Sequence, residues 1–131
     1  MMRFGFIFAE AIRMKKIYYL KTCSDSMRVI KELNGLKDFE KQEIKTEPIT
    51  PEQLKVIRDL AGSYDAVFSR KAVLYRIMNL KDKQLSENEI RDLILGEYTF
   101  LRRPVIIIGN RIFIGHQEET IREVEKEMKA K

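Results

Sequence analysis

The chain is poor in the residues from which covalent and metal cross-links are built, with one cysteine, Cys23, and one histidine, His116. A single cysteine excludes an internal disulfide and any site with several thiolate ligands, and a chain with no disulfide framework fits a reducing cytosol. Long hydrophobic runs are missing too. The stretch Phe4-Gly5-Phe6-Ile7-Phe8-Ala9 is too short to span a bilayer, is followed by Glu10 and has no clear small-residue cleavage site, so it is read as neither membrane span nor signal peptide. No internal repeat, low-complexity tract or linker is present, and neither sign of charge is gathered in a tail. The 25 basic and 20 acidic residues are interspersed, and the formal charge of +5 is better evidence for small anionic ligands than for nucleic acid. The 131 residues, 44% hydrophobic and 34% charged, suffice for one domain with one real core and read as an ordinary soluble globular protein. Met14-Lys15-Lys16 followed by a strand looks like a natural start, so residues 14–131 are expected to form that domain. Residues 1–13 are expected to be an upstream extension, with a helical or strand-like arm packed on the domain as the alternative.

What is present is organised around Lys16-Ile17-Tyr18-Tyr19-Leu20-Lys21-Thr22-Cys23-Ser24-Asp25-Ser26. An apolar, aromatic run reaches the cysteine, and beyond it Met27, Ile30 and Leu33 recur every three residues, so the period changes from strand to helix there. A thiol at such a junction faces unpaired backbone N–H groups and the positive end of a helix dipole, which favour thiolate over thiol. Cys23 is therefore expected to be a nucleophile at neutral pH. Lone cysteines are more often buried small hydrophobes, but the polar neighbours Thr22, Ser24, Asp25 and Ser26 argue against burial.

Asn34-Gly35 is expected to stop the first helix, and Phe39 to Lys45 reads as a poor strand suited to a sheet edge. Thr50-Pro51-Glu52-Gln53 combines an N-cap hydroxyl, proline at the first helical position and a glutamine three residues on, ahead of an apolar face of Leu54, Ile57, Leu60 and Ala61. Tyr64 to Gly96 contains no convincing strand. Ser69 is expected to cap a helix carrying Ala72, Val73, Ile77 and Leu80, and Ser86-Glu87-Asn88-Glu89 is a second capping box before Ile90, Leu93 and Ile94. Val105 to Ile108 and Arg111 to Ile114 then form a hairpin across Gly109-Asn110, followed by a terminal helix with Ile121, Val124 and Met128 on one face. The order β-α-β-α, an all-helical insertion, then β-β-α predicts an α/β, thioredoxin-like fold: a mixed sheet of about four strands flanked by helices.

Three motifs carry a family resemblance: Thr22-Cys23-Ser24-Asp25-Ser26 after the tyrosine-rich strand, Phe68-Ser69-Arg70, and Phe100-Leu101-Arg102-Arg103-Pro104-Val105-Ile106. With them the chain resembles the arsenate reductase and Spx family along most of Met14 to Met128. In the family's arsenate reductases a cysteine thiolate attacks arsenate, arginines hold the oxyanion, and an outside thiol such as glutathione releases arsenite. The resemblance implies Cys23 as nucleophile and Arg70 and Arg103 as anion-binding residues, guanidinium forks being suited to oxyanions. Thr22, Ser26 and Pro104 would support them. It also implies that Pro104 is the cis-proline facing the cysteine, against a base rate that favours trans. No metal or bound cofactor is implied.

Two departures stand out. Where a third arginine is expected after the hairpin the chain has Ile114, with Arg111 and His116 the nearest cations. Where many relatives have a second cysteine it has Ser26, which cannot resolve a mixed disulfide but can donate a hydrogen bond to the Cys23 thiolate or cap the helix. Turnover would then need an external thiol, with glutaredoxin or thioredoxin as a partner. Arg28 and His116 are more simply read as solvated, and Asp25 as a cap. Three readings follow: an arsenate reductase-like thiol oxidoreductase in the cytoplasm, an Spx-like redox-sensitive regulator binding RNA polymerase, or a structural relative without chemistry.

Overall fold

Three consecutive buried residues, Lys16, Ile17 and Tyr18, and four, Val105, Ile106, Ile107 and Ile108, mark the two inner strands of one sheet. The computed structural model describes residues 14–130. They divide into two units, one made of the described residues up to Glu43 together with those from Arg103 onward, the other of Ile44–Arg102.

The first unit holds all four strands: β1 (Lys15–Tyr19), β2 (Glu40–Glu43), β3 (Val105–Ile108) and β4 (Arg111–Ile114), in the order β2-β1-β3-β4. β2 runs parallel to β1, while β3 is antiparallel to both β1 and β4, so the sheet is mixed. The polar strand Glu-Lys-Gln-Glu is at an edge, as its composition demands. Helices α1 (Ser24–Glu32) and α5 (Glu118–Lys129) bury Val29, Ile121 and Val124 in one cluster with Ile17, Ile106, Ile108 and Phe113. These sheet residues share a face, because Ile17 pairs with Ile106 and Ile106 with Phe113.

Of the three residues that the spacing marks on α1, Leu33 is buried and Ile30 packs against the core, and only Met27 departs. Met27 is 40% exposed, whereas Ser26, Val29 and Leu33 are buried. A strict period of three drifts off an α-helical stripe, and the ladder 26, 29, 33 follows the true period of 3.6. Ser26 is thereby turned inward.

The second unit is helical, with one isolated bridge between Phe68 and Leu101. α2 (Pro51–Ala61) has the full capping box between Thr50 and Gln53, and Gly62 closes it at φ 100°, where a side chain would be strained. α4 (Glu87–Gly96) has its own box between Ser86 and Glu89. The Glu87 carboxylate accepts hydrogen bonds from the Tyr64 and Asp65 backbone N–H groups, at 2.8 and 3.1 Å, tying the start of α4 to the 3-10 turn Asp65–Val67.

Between them the expected long helix is short. α3 spans only Val73–Ile77, is flanked by Ala72 rather than capped by Ser69, and is followed by Asn79 in the left-handed conformation, which ends it. Arg70 and Lys71 thus precede the helix. Ala72 and Leu80 are buried while Val73 and Ile77 are exposed, so the four residues do not form one face. No helix among the described residues is long and apolar enough to cross a membrane.

Candidate functional site

The site is organised by the end of β1. After Tyr19 the chain turns, with the Cys23 N–H donating to the Leu20 carbonyl at 3.0 Å, and Cys23 then serves as N-cap of α1 in an extended conformation. The first intrahelical bond is donated by Met27 N to the Cys23 carbonyl at 3.1 Å. Helix geometry therefore leaves the N–H groups of Ser24, Asp25 and Ser26 without intrahelical acceptors. No side chain caps this end. Cys23 is half-buried and not disulfide-bonded, and its backbone opens a helix N-terminus whose three N–H groups form an anion-binding arrangement. Thr22 beside it is exposed, and the Lys21 N–H donates to Glu43 Oε2 at 3.0 Å, anchoring the turn to β2.

Ser26 is neither the cap nor a donor to the thiol. It is fully buried on the inner side of α1, and its Oγ has no hydrogen-bond partner. Buried hydroxyls are normally satisfied, and this one has no partner among the described residues.

The Arg103-Pro104 peptide bond is cis, as the family resemblance implies. Tyr18 pairs with Val105 in the β1–β3 ladder, so continuing the register by one and two residues sets Pro104 and Arg103 opposite Tyr19 and Leu20, at the end of β1 that leads to Cys23. The Pro104 carbonyl accepts from Gly115 N at 2.9 Å, which holds the end of β4 against the same place. Arg103 is half-buried, and its Nε and Nη1 are buried without an acceptor. Guanidinium donors removed from water and left unpaired are costly, which is the mark of a group arranged for an anion.

Arg70 has a different setting. It lies in the second unit, where its Nη2 donates to Asp65 Oδ1 and its guanidinium lies over the Phe68 ring, 5.3 Å from the centroid. That hydrogen bond from Arg70 to Asp65 raises the arginine pKa above its usual value. Phe68 is itself fixed by stacking on Phe100 at 5.4 Å. Two of the sequence candidates, Cys23 and Arg103, thus fall at one end of the sheet, while Arg70 already has an acceptor in its own unit. Ile114 is half-buried at the end of β4, and Arg111 is paired with Glu127 at 2.7 Å.

A further cluster was not expected at this end of the sheet. His116 Nε2 approaches Asp25 Oδ2, and Arg28 donates both to Glu32 and to the His116 carbonyl. Asp25 therefore pairs with a residue from the far end of the chain instead of capping its own helix. The only sequence signals for this are the helical spacing of Asp25 and Arg28 on α1 and the position of His116 just past the strand-ending Gly115.

Comparison with known proteins places this arrangement. The ArsC family model matches residues 18–124. The chain belongs to the ArsC family. Among curated ArsC-like relatives, the global transcriptional regulator Spx of Lactiplantibacillus plantarum is 31% identical over 86 residues, 65% of this chain and 65% of that protein. The match therefore spans just under two thirds of that relative's length. Among solved structures, an ArsC family related protein from Bacteroides fragilis superposes with a TM-score of 0.73 at 22% identity, covering 88% of this chain and 98% of the other. An arsenate reductase from Vibrio cholerae gives 0.69 at 20% identity, covering 86% and 97%. At these identities the structures establish the fold, thioredoxin-like with a helical insertion, and the ArsC match establishes the family.

Proposed function

We propose that this ArsC-family chain is a single-cysteine thiol oxidoreductase of the arsenate reductase type, with Cys23 as nucleophile and Arg103 as anion-holding residue. The observation that carries this reading is the pairing of a half-buried thiol at a bare helix N-terminus with an arginine whose buried Nε and Nη1 have no acceptor. In the proposed cycle the Cys23 thiolate bonds to the arsenic of the oxyanion, and one oxygen leaves as water. An external thiol such as glutathione then attacks the Cys23 sulfur, forming a mixed disulfide. The As–S electron pair passes to arsenic, which leaves as arsenite. A second thiol, from glutathione or a glutaredoxin or thioredoxin partner, restores Cys23. Ser26 in place of a second cysteine is what makes both thiols external. The α1 N–H groups would donate to the thiolate or to the bound anion.

The test is alkylation of Cys23 with and without arsenate or glutathione, together with arsenate-dependent oxidation of glutathione. Protection by either ligand and turnover that vanishes in Cys23→Ser support the reading. Turnover retained in Cys23→Ser ends it.

A second reading rests on a separate observation, the 31% identity to a global transcriptional regulator. In it the fold is a surface for RNA polymerase and Cys23 a redox sensor, read by glutathionylation because no second cysteine can close a disulfide. Retention of purified RNA polymerase on the immobilised chain, altered when Cys23 is glutathionylated, would favour it. Clean failure to retain the polymerase would exclude it.

A further inference from the structure

The second unit carries an exposed apolar face that neither reading uses. Val73 is 58% exposed and Ile77 66% exposed, one helical turn apart on α3, and Ile77 runs directly into the exposed Met78. Met78 in turn lines a cavity of about 300 Å³ whose other apolar walls are Leu80, Leu85 and Leu93. Two exposed branched side chains one turn apart, next in sequence to a residue that lines an apolar-walled cavity, make a patch of the kind that partners cover.

The charges around this face say which kind. From Arg70 to Lys83 the chain holds five cations and one anion, Asp82. Arg70 is taken by Asp65, but Lys71, Arg76 and Lys81 are exposed and have no ion-pair partner among the described residues. Lys83 stands at the cavity. Two carboxylates also border it: Asp92 pairs with Arg91 at 2.9 Å, while Glu89 accepts from the neutral Ser86 N–H at 2.8 Å, keeps its charge and attracts Lys83. Lys83 and Glu89 thus offset each other at the cavity, and the positive excess lies along α3 and the turns on either side of it, where Lys71, Arg76 and Lys81 outnumber Asp82.

We propose that α3 and the leucine-lined cavity beside it dock an acidic amphipathic helix of a partner protein, its apolar anchors on Val73, Ile77 and the cavity and its carboxylates on Lys71, Arg76 and Lys81. An apolar helical face recognised at one-turn spacing with complementary charge is a recurrent mode of peptide recognition. An open depression with Met78, Leu80, Leu85 and Leu93 on its apolar side takes an inserted side chain, which a planar bilayer does not offer. Nucleic acid would satisfy the cations and leave Val73 and Ile77 in water. The inference is independent of the thiol chemistry, since every residue in it lies in Ile44–Arg102.

The test uses the full chain and a fluorescein-labelled synthetic peptide of about four helical turns, with Leu and Phe at helical spacing and Glu elsewhere. Comparison probes are a peptide of the same composition with the spacing scrambled, duplex DNA, and phosphatidylserine vesicles. Saturable binding of the amphipathic peptide is expected, with amide shift changes in residues 71–93. Ile77→Glu and the pair Arg76→Glu with Lys81→Glu should each weaken it at least tenfold, and Cys23→Ser should leave it unchanged. Both sites are exposed, so circular dichroism of the variants verifies folding. Equal binding of the scrambled peptide would reduce the site to a patch of charge and overturn the proposal. Preference for DNA or vesicles, or no binding to any probe, would overturn it as well.

Discussion

His116 Nε2 lies 3.3 Å from Asp25 Oδ2, and the same histidine's carbonyl accepts a hydrogen bond from Arg28 Nη2 at 2.9 Å. Two contacts from one residue clasp the loop after β4 to the first two turns of α1, just beyond Cys23. Arg28 and His116 are 88 residues apart in a chain of 131, so the clasp is a tertiary device. The pair is half-exposed and its energy is correspondingly small, about 0.2–1 kcal/mol. A double-mutant cycle of Asp25→Asn and His116→Gln should return a coupling in that range by chemical denaturation. A coupling of zero would mean that the two residues are neighbours without being partners.

Arg103 separates stability from function. Its buried, unpaired donors cost free energy in the unliganded protein, so Arg103→Met should leave the thermal midpoint unchanged or raise it. The same variant should lose ligand protection of Cys23, and Arg103→Lys should recover only part of it, because an ammonium presents no fork. A clear loss of stability in Arg103→Met would assign the arginine a structural role instead.

For Ser26 the expectation is set by the absence of a bond. An N-cap serine replaced by alanine costs about 1 kcal/mol. With its Oγ buried and unpartnered, Ser26→Ala should cost less than about 0.5 kcal/mol or stabilise, by the same logic of unsatisfied polar atoms. A loss near the capping value would show that the hydroxyl finds a backbone partner in solution.

Glu89 gives a pH dependence with a definite sign. Hydrogen bonds from the Ser86 backbone and side chain, with a smaller attraction from Lys83, hold its carboxyl below the usual carboxylate range. A depressed folded pKa adds stability that is complete above the unfolded pKa and disappears as pH falls through the folded one. Glu89→Gln keeps the capping geometry without titrating. The wild type should therefore lose stability relative to that variant as the medium is acidified through the carboxylate range, followed by thermal melts at several pH values. A constant difference across the series would refute the assignment.

Two isoleucines in helical patterns should behave oppositely. Ile57 on α2 is 0% exposed and Ile77 on α3 is 66% exposed. Ile57→Ala should cost about 2–5 kcal/mol through lost burial and the cavity left behind, while Ile77→Ala should stay within about 0.5 kcal/mol. Urea denaturation of the two variants side by side decides it.

Where local chemistry is self-sufficient the sequence can be read directly. The capping boxes at Thr50 and Ser86 need only four consecutive residues, and both form. The Gly109-Asn110 hairpin and the unbroken apolar run of β3 are likewise local, and the edge position of β2 follows from its charges. Residues 1–13, expected to be an extension, lie outside the described residues. The apolar faces of α1 and α3 were less legible, because an apolar residue on a helix is consistent with core or with surface until the neighbouring elements are placed. Ser26 inside and Ile77 outside are the two cases in point.

By itself, then, the sequence determined the order of elements, the sheet's composition and the junction that carries Cys23, because propensity, capping and the switch of hydrophobic period act over a few residues. It also carried the three motifs that mark the family. Tertiary structure alone decided which charges are free. Arg70 and Arg103 look alike in sequence, yet one is paired with Asp65 five residues away while the other is brought by strand pairing to the end of β1 with its buried Nε and Nη1 unpaired among the described residues. Whether a cation meets a carboxylate depends on where the chain returns, and the returns here are set by the register of β1 on β3 and of β3 on β4.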